Sequence, residues 1–255
     1  MLGVYTAASG MIAQSKKEDL LANNLANLNT PGFKAGGATQ QAFSSILMER
    51  LGRNPTPIGA VGTGAILGQT HVDFSQGALQ HTGQPLDFAL EGTGFFAVQA
   101  PGGTEYTRAG DFTLNGNGGL VTQAGYPVLS VGGTPLVLGS GTVTVAGDGT
   151  ISVNGSVVGQ LQVDNFANVG ALVMGADGYF KAGTNAGSPA SATASATASV
   201  TGTKVLQGNL EVSNTNQLKE TVDMLTVFRA YEADQKAILS QAQTLAWAAG
   251  QVGKV

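Results

Sequence analysis

The chain has 255 residues, of which 42% are hydrophobic and only 11% are charged, and it carries a formal net charge of −4. This length and apolar content are sufficient for one or two domains with a buried core, so the composition excludes a disordered chain in spite of its 38 glycines. The small negative charge and the lack of a basic patch argue against a nucleic-acid partner.

The first predicted element is a helix over residues 3–29. Its apolar residues recur at helical spacing in two patches. The first patch is Val4, Ala8, Met11 and Ile12, and the second is Leu21, Leu25 and Leu28. The charged stretch from Lys16 to Asp19 separates the patches, so the apolar stripe of this helix is a weak one.

The end of this helix is predicted within the motif ANNLANLNTPGFK, residues 22–34. Its asparagine side chains compete with helical backbone hydrogen bonds. Thr30 precedes Pro31 and is therefore biased away from the α conformation. Gly32 can adopt a positive φ angle before the apolar Phe33. The motif thus indicates a helix that stops and turns at a fixed place.

The next segment, residues 36–69, is predicted to be a connector. Two prolines and five glycines punctuate residues 52–68, which is typical of irregular structure. One or two helical turns over residues 43–51 are left open as an alternative.

Residues 70–203 are predicted to form a central, irregular all-β domain. Short apolar runs alternate with turn signals such as Asn117-Gly118 and Asp148-Gly149, which is the pattern of an antiparallel sandwich or barrel. Within this domain the Ser/Ala-rich stretch 184–203 has almost no apolar bulk, so we predict a flexible surface loop there.

A long helix is predicted from about residue 216 to residue 252. An apolar stripe runs along it in alternating steps of four and three, with one polar break at Gln235. Its members are Met224, Phe228, Tyr231, Gln235, Ile238, Ala242, Leu245, Ala249 and Val252. Such a stripe needs a partner, and the other long predicted helix is the N-terminal one. We therefore predict an α+β fold in which residues 1–35 and 204–255 form a discontinuous coiled-coil domain.

Sites for catalysis or cofactors are not indicated. His71 and His81 lack the spacing of metal ligands, and the GxxGxG run at 59–64 has neither a preceding strand nor a following Lys. The chain contains no cysteine, which excludes a Cys–His pair. No apolar run approaches the roughly 20 residues that span a bilayer. We expect no enzyme, no cofactor, no metal site and no membrane insertion.

Three long motifs resemble the flagellar rod–hook axial protein family of bacteria. They are ANNLANLNTPGFK at 22–34, TGQPLDFALEGTGFFAVQAPGGTEYTRAGDFTLNGNGGLVTQAGYPVL at 82–129, and GNLEVSNTNQLKETVDMLTVFRAYEADQKAI at 208–238. Departures are Asp234, where the family more often has Asn, and an alanine-rich C-terminal end. The resemblance implies a basal-body rod subunit rather than a hook subunit, because the sequence has room for one β domain only. It leaves proximal and distal rod open.

The resemblance further implies that the terminal helices line a tube, with the chain itself and other rod and hook axial proteins as partners. It implies export by the flagellar export apparatus, and the start of the chain indicates no cleaved signal peptide. The candidate assembly residues are Met11, Leu21, Asn24, Leu25, Asn27, Leu28, Asn29, Thr30, Gly32, Phe33, Leu218, Met224, Leu225, Phe228, Tyr231, Ile238, Ala242, Leu245 and Val252. We expect residues 1–30 and 216–255 to order only on assembly.

Other function classes stay open on the residues alone. A secreted β-rich adhesin or glycan-binding module would present exposed aromatic side chains on its β domain. A hydrolase would use carboxylates such as Asp87 and Asp111. By periodicity, an ordinary helical hairpin closed within one chain explains the stripes as well as an assembly does.

Overall fold

The computed structural model describes residues 2–42, 46–50, 56–61, 64–175, 178–183, 190–191 and 202–252, with side chains over 3–39, 41, 64–175, 178–183 and 202–250. The fold is α+β, with a helix near each end and a β-rich region between them, as predicted. The chain divides into two compact units. The first comprises Met1–Ala26, Gly36–Asp73 and Asn216–Val255, and the second comprises Asn27–Ala35 and Phe74–Thr215.

The first unit contains both helices, α1 (Leu2–Ala26) and α2 (Gln217–Val252). The helices lie side by side and antiparallel. A Cβ atom built on Gly10 would lie 2.6 Å from the Asp234 carboxylate, so this glycine lets the two backbones approach closely. Further along, Asn24 donates a hydrogen bond to Glu220 over 3.3 Å. The asparagine before α2, Asn216, caps the helix by accepting from the Lys219 amide at 3.1 Å.

The side of α2 that faces α1 differs from the predicted stripe. Val227 is the most buried apolar residue of α2, at 2% exposure, and Glu220 is buried seven residues before it. Of the predicted stripe, Phe228, Gln235, Ala242, Leu245 and Ala249 are exposed, Met224, Tyr231 and Ile238 are half-buried, and the Val252 side chain lies outside the described residues. Apolar residues occupy more than one side of α2, so the predicted stripe follows the inner side at Met224, Tyr231 and Ile238 but not at Phe228 and Gln235.

Four strands join the helices in the first unit, where the sequence predicted an irregular connector. They are β1 (Gly36–Ala42), β2 (Ile46–Arg50), β3 (Thr56–Val61) and β4 (Ala65–Val72). β1 pairs with β4 and β2 with β3, both antiparallel. The connector prediction and the helical alternative at 43–51 were therefore wrong for these strands. Prolines and glycines are tolerated here because each strand has only one partner in its sheet.

The second unit is built from short strands. They are β5 (Leu79–His81), β6 (Phe88–Glu91), β7 (Phe95–Ala100), β8 (Gly103–Thr107), β9 (Thr113–Leu114), β10 (Leu120–Val121), β11 (Val143–Val145), β12 (Thr150–Val153), β13 (Ser156–Gln160), β14 (Val163–Asn165), β15 (Leu172–Met174), β16 (Phe180–Ala182), β17 (Ala190–Ser191), β18 (Lys204–Gln207) and β19 (Asn209–Glu211). The largest sheet has the order β15-β16-β8-β7-β14-β17. Of the predicted loop 184–203, Ala190–Ser191 pair with β14, and residues 184–189 and 192–201 lie outside the described residues.

The core of the second unit lies on both sides of β7. Phe96 belongs to the main apolar cluster and packs edge-on against Phe112 at 5.3 Å. Its neighbour Phe95 points the other way and packs against Phe74 and Phe180, with ring centroids 5.7 Å apart in each pair. Alternation along a strand thus lets two adjacent phenylalanines serve two separate parts of the core.

The predicted turn after α1 is confirmed in detail. The helix ends at Ala26, and the Thr30 amide donates to the Asn27 carbonyl at 3.2 Å. Gly32 adopts a φ angle of 67°, and its amide donates to the carbonyl of Glu211 at 2.7 Å. A Cβ atom on Gly32 would lie 2.2 Å from the backbone carbonyl carbon of Arg108. Glycine is therefore required here for its conformation and for the space.

Neither helix, over its described residues, has the combination of length and hydropathy that a bilayer span requires.

The first prediction concerns the requirement for glycine in this turn. We expect Gly32→Ala to lower the free energy of unfolding by more than about 2 kcal/mol, because a backbone clash adds to the left-handed strain of about 1 kcal/mol. Gly125→Ala is the matched control, since Gly125 has a φ angle of 85° with nothing within 4 Å of its Cβ position. Urea unfolding followed by circular dichroism measures both. Equal losses in the two variants would contradict the clash.

Candidate assembly surfaces

A buried cluster of three charged side chains joins the three sequence motifs. Lys34 ends the first motif, Arg108 lies in the second and Glu211 lies in the third. Their side chains are exposed by only 1%, 4% and 0%, respectively. In a chain with 11% charged residues, three full charges in one interior position are a specific feature of the fold.

Glu211 is the centre of this cluster. Its Oε1 accepts from the Lys34 ammonium at 2.5 Å and from the Gly77 amide at 2.9 Å. Its Oε2 accepts from Arg108 Nη1 at 3.1 Å. The cations also bond to main-chain carbonyls, Lys34 to Ser75 at 2.7 Å and Arg108 to Gly92 at 2.7 Å. The turn after α1, the end of β8 and β19 are thereby held together within the second unit.

This cluster contributes more to the uniqueness of the folded arrangement than to its net stability. Burial lowers the pKa of the Arg108 guanidinium, and the Glu211 carboxylate opposes that shift. Removing charges from water costs several kcal/mol per ion, which is recovered only with good geometry. The Arg108 guanidinium also lies 5.3 Å from the ring centre of Phe95, a favourable cation–π distance. An intact cluster adds little net stability, but the loss of one partner leaves a buried charge uncompensated.

The outer face of α2, defined as Leu218, Val222, Leu225 and Leu239, is apolar and exposed. These side chains are 76%, 53%, 53% and 56% exposed. The first three follow at steps of four and three, and the fourth comes fourteen residues later, so all lie on one side of the helix. That side is opposite Val227, which is buried. The helix therefore presents apolar surface away from its own partner.

The overhang of α2, defined as residues 243–252, extends past the first turn of α1. A Cβ atom on Gly3 would contact the Gln241 side chain, so α1 begins opposite residue 241. Beyond this point, Leu245 is 47% exposed and Trp247 is 71% exposed. The overhang is a second apolar surface without cover from α1.

A shallow groove of about 220 Å³ lies in the first unit beside α1. Its lining is Ser9, Ile12, Ala13, Lys16, Ala65, Ile66 and Leu67. Ile12 and Ile66 are 61% and 49% exposed, so the groove adds a third apolar surface to the same unit.

The structure separates the candidate assembly residues into three groups. Leu21, Asn24 and Gly32 are buried within the chain. Met11, Leu25, Asn27, Leu28, Phe33, Met224, Tyr231 and Ile238 are half-buried. Asn29, Thr30, Leu218, Leu225, Phe228, Ala242 and Leu245 are exposed, and the Val252 side chain lies outside the described residues. The exposed group has the largest share of side-chain surface available to another molecule.

Several important residues were absent from the sequence-based set. Lys34, Arg108 and Glu211 had one available signal, namely a full charge in a charge-poor chain. Val222 and Leu239 of the outer face were missed because the prediction followed a different stripe of the same helix.

The carboxylates of the hydrolase alternative lie on neighbouring backbone segments of the second unit. Asp87 and Asp111 pair in an isolated β-bridge, and burial raises the pKa of Asp111, with the Asp87 charge adding to the shift against an opposing backbone hydrogen bond. Thr82 donates to Asp87 at 2.6 Å. Across the described ranges, no three His, Asp or Glu side chains are grouped so as to hold a metal ion.

Exposed aromatic residues distinguish an adhesin from a helical assembly. In the described part of the chain, the large aromatic side chains with the greatest exposure are Tyr5, Phe228 and Trp247, and all three are on helices. The exposed large apolar residues of the second unit are aliphatic, for example Val157 at 70% and Val173 at 60%. No observation favours a glycan-binding surface.

Comparisons with known proteins agree along the whole chain. Residues 4–34 match the family described as flagella basal body rod protein, residues 89–159 match the flagellar hook protein FlgE/F/G D1 domain, and residues 206–248 match the flagellar basal body rod FlgEFG protein C-terminal family. Lys34, Arg108 and Glu211 each lie within one of these three regions.

Full-length relatives support the same grouping. The flagellar hook-basal body complex protein FlhO of Bacillus subtilis is 36% identical over 99% of both chains. The flagellar basal-body rod protein FlgG of Caulobacter vibrioides is 34% identical over 96% of this chain and 97% of its own. The flagellar basal-body rod protein FlgF of Rhizobium meliloti is 34% identical over 90% of this chain and 89% of its own.

The second prediction tests the buried charge cluster. We expect Glu211→Gln to lower the free energy of unfolding by about 3–5 kcal/mol, because it leaves two buried cations without a counter-charge. Lys181→Gln is the control, since it breaks the Lys181–Glu105 pair, in which the lysine side chain is 54% exposed. That change should cost less than about 1 kcal/mol. Chemical denaturation of both variants decides the point, and a similar small loss for Glu211→Gln would refute the role of the cluster.

Proposed function

The chain belongs to the family of flagellar basal-body rod proteins, and we propose that it is a structural rod subunit that polymerises into the tubular shaft between motor and hook. The observation that carries this proposal is identity of 34–36% to rod and hook-basal body proteins over nearly the full chain. The proposed location is the flagellar basal body, and the proposed partners are further copies and other rod and hook axial proteins.

The exposed apolar surfaces give the assembly a physical basis. The outer face of α2, the overhang and the groove beside α1 all belong to one unit. Large exposed apolar surface marks a site of protein contact. Contacts between different patches on successive copies generate an open helical assembly when the rotation between copies does not close into a ring, and this is the geometry that we propose for the rod.

We further propose that α1 and α2 pair as a coiled coil in the assembled rod. Contacts at Gly3–Gln241 and Gly10–Asp234 are seven residues apart on each helix, which is the repeat that a coiled coil requires. Of the proposed assembly domain, residues 1–26 and 216–255 lie in the first compact unit together with residues 36–73, whereas residues 27–35 and 204–215 lie in the second. Residues 74–203 supply the β domain.

Export by the flagellar export apparatus is part of this proposal. The described helix pair buries few apolar side chains: Ala7, Ala13, Leu21 and Val227. Most helical stability in proteins comes from packing of an apolar face, so this pair is weak by itself. Weakly stable terminal segments suit passage through a narrow channel followed by ordering in the assembly.

The third prediction tests the outer face of α2. We expect the double variant Leu218→Glu/Leu225→Glu to abolish assembly into rods, because it places charges in an apolar contact while leaving the core intact. Its melting temperature should be unchanged, since both side chains are more than half exposed. Val157→Glu, at a 70% exposed position of β13, is the control and should assemble normally. Electron microscopy of basal bodies from cells that depend on each variant gives the answer, and rods of normal length with the double variant would disprove the contact.

The fourth prediction concerns order in the free subunit. In dilute monomer, we expect amide hydrogens of α1 and α2 to exchange much faster than those of β6 and β7, whose side chains are almost all buried. Assembly should slow exchange in both helices. Hydrogen exchange with mass spectrometry measures this, and strong protection of both helices in the monomer would rule out ordering on assembly.

A further inference from the structure

Asn24, in the last turn of α1, has an unusual set of contacts for a residue of a helix pair. It is 2% exposed. Its carboxamide forms two bonds with the backbone of Gly36, accepting from the amide at 2.9 Å and donating to the carbonyl at 2.9 Å. Its second N–H donates to Glu220 of α2 at 3.3 Å. Because Gly36 holds the carboxamide from two sides, the remaining N–H has a fixed direction toward α2.

The contacts between the helices fall into layers with uniform spacing. Gly3 lies opposite Gln241, Gly10 opposite Asp234, and Asn24 opposite Glu220. Seven residues on α1 correspond to seven on α2, and fourteen correspond to fourteen. The two helices therefore keep one antiparallel register from the first layer to the last.

Most of these layers do not by themselves select that register. A slip of seven residues would place Gly10 opposite Gln241, and both Gly3 and Gly10 lack a side chain that would obstruct it. The slip would also place Lys17 opposite Asp234, where the charges attract. It would bring part of the overhang, including Leu245, against α1. Apolar burial and charge both tolerate the alternative register.

Among these three layers, only that of Asn24 opposes the slip. In the alternative register Asn24 would lie opposite Val227, which has no side-chain acceptor, and Glu220 would lie beyond the end of α1. Since Gly36 fixes the carboxamide, the freed N–H has no way to turn to another acceptor. A buried polar group without a partner is strongly unfavourable, and single buried amides are known to select one register in coiled coils.

We infer that Asn24, through its bond to Glu220, selects the register of α1 against α2 among the contacts between the two helices. The consequence rests on the proposed function: the native register keeps the overhang, with Leu245 and Trp247, uncovered and so available to the next copy. The amide is thus a positioning residue for assembly, because it prevents the chain from covering its own contact surface.

Disulfide cross-linking of the full chain tests the inference directly, because the chain has no cysteine of its own. Gly3→Cys with Gln241→Cys reports the native register, and Gly3→Cys with Ala248→Cys reports the slipped one, so that Gly10, which lets the helices approach closely, is kept in both. Each pair is oxidised in dilute monomer, and the intramolecular product is quantified by mass spectrometry. With Asn24 and Glu220 intact, the native pair should form at least about tenfold faster than the slipped pair.

Glu220→Leu removes the acceptor and should raise the rate of the slipped cross-link about tenfold, to a value similar to the native one. Glu220→Gln keeps an acceptor oxygen and should retain the native preference, which a general loss of stability would not explain. Asn24→Ala removes the same bond from the α1 side. If Glu220→Leu lacks normal helix content, the result with Asn24→Ala is used instead. An unchanged preference for the native cross-link in the folded variant overturns the inference.

The cross-linking result is independent of polymerisation. A chain that fails to assemble into rods, yet changes register in Glu220→Leu, would refute the proposed function and leave the register inference standing. A chain that assembles normally with Glu220→Leu and keeps its native cross-link would refute the inference and leave the proposed function standing.

Discussion

A buried carboxylate that requires two cations from distant parts of the chain is the constraint on which the second unit depends. Glu211 is 177 residues from Lys34 and 103 residues from Arg108 in sequence. None of the three side chains can be buried favourably until the other two are in place. The turn after α1, the end of β8 and β19 must therefore reach their positions together. Lys34 and Glu211 also lie within a few residues of the points at which the chain passes between its two units.

The helix pair of the first unit has a different distribution of polar and apolar side chains. Its inner side contains Glu220, Asp234 and Gln241 beside the single well-buried Val227, whereas its outer face is leucine and valine. In an ordinary soluble helical hairpin the apolar residues would lie inside. Here polar groups and glycines share the intramolecular contacts with a few apolar residues, and further leucine and valine side chains remain exposed on the outside. This arrangement is expected of a subunit whose main apolar contacts are with other copies.

The sequence predicted those features that depend on local chemistry. The turn at Thr30–Gly32 follows from Pro31 and a glycine with a positive φ angle, and the structure confirms it. The β-rich centre follows from short apolar runs and turn signals. The pairing within the ion cluster could not be read from local sequence, because Lys34 and Arg108 are each more than one hundred residues from Glu211. Strands β1–β4 were missed because glycine and proline in a two-stranded ribbon resemble an irregular loop.

The choice of stripe on α2 shows why the candidate assembly surface was only partly predicted. Counting apolar residues at heptad spacing identified Met224, Tyr231 and Ile238, which flank the inner side, together with exposed residues such as Phe228. The inner side is decided by features that hydropathy ignores: the space beside Gly10, where the Asp234 carboxylate fits, and the acceptor that Asn24 needs. Where a helix has apolar residues on several sides, the hydrogen-bonding requirements of its buried polar residues contribute to which side meets its partner. The remaining apolar side is then exposed and available for assembly. The polar residues of this pair thus act on the contact between copies by orienting α2.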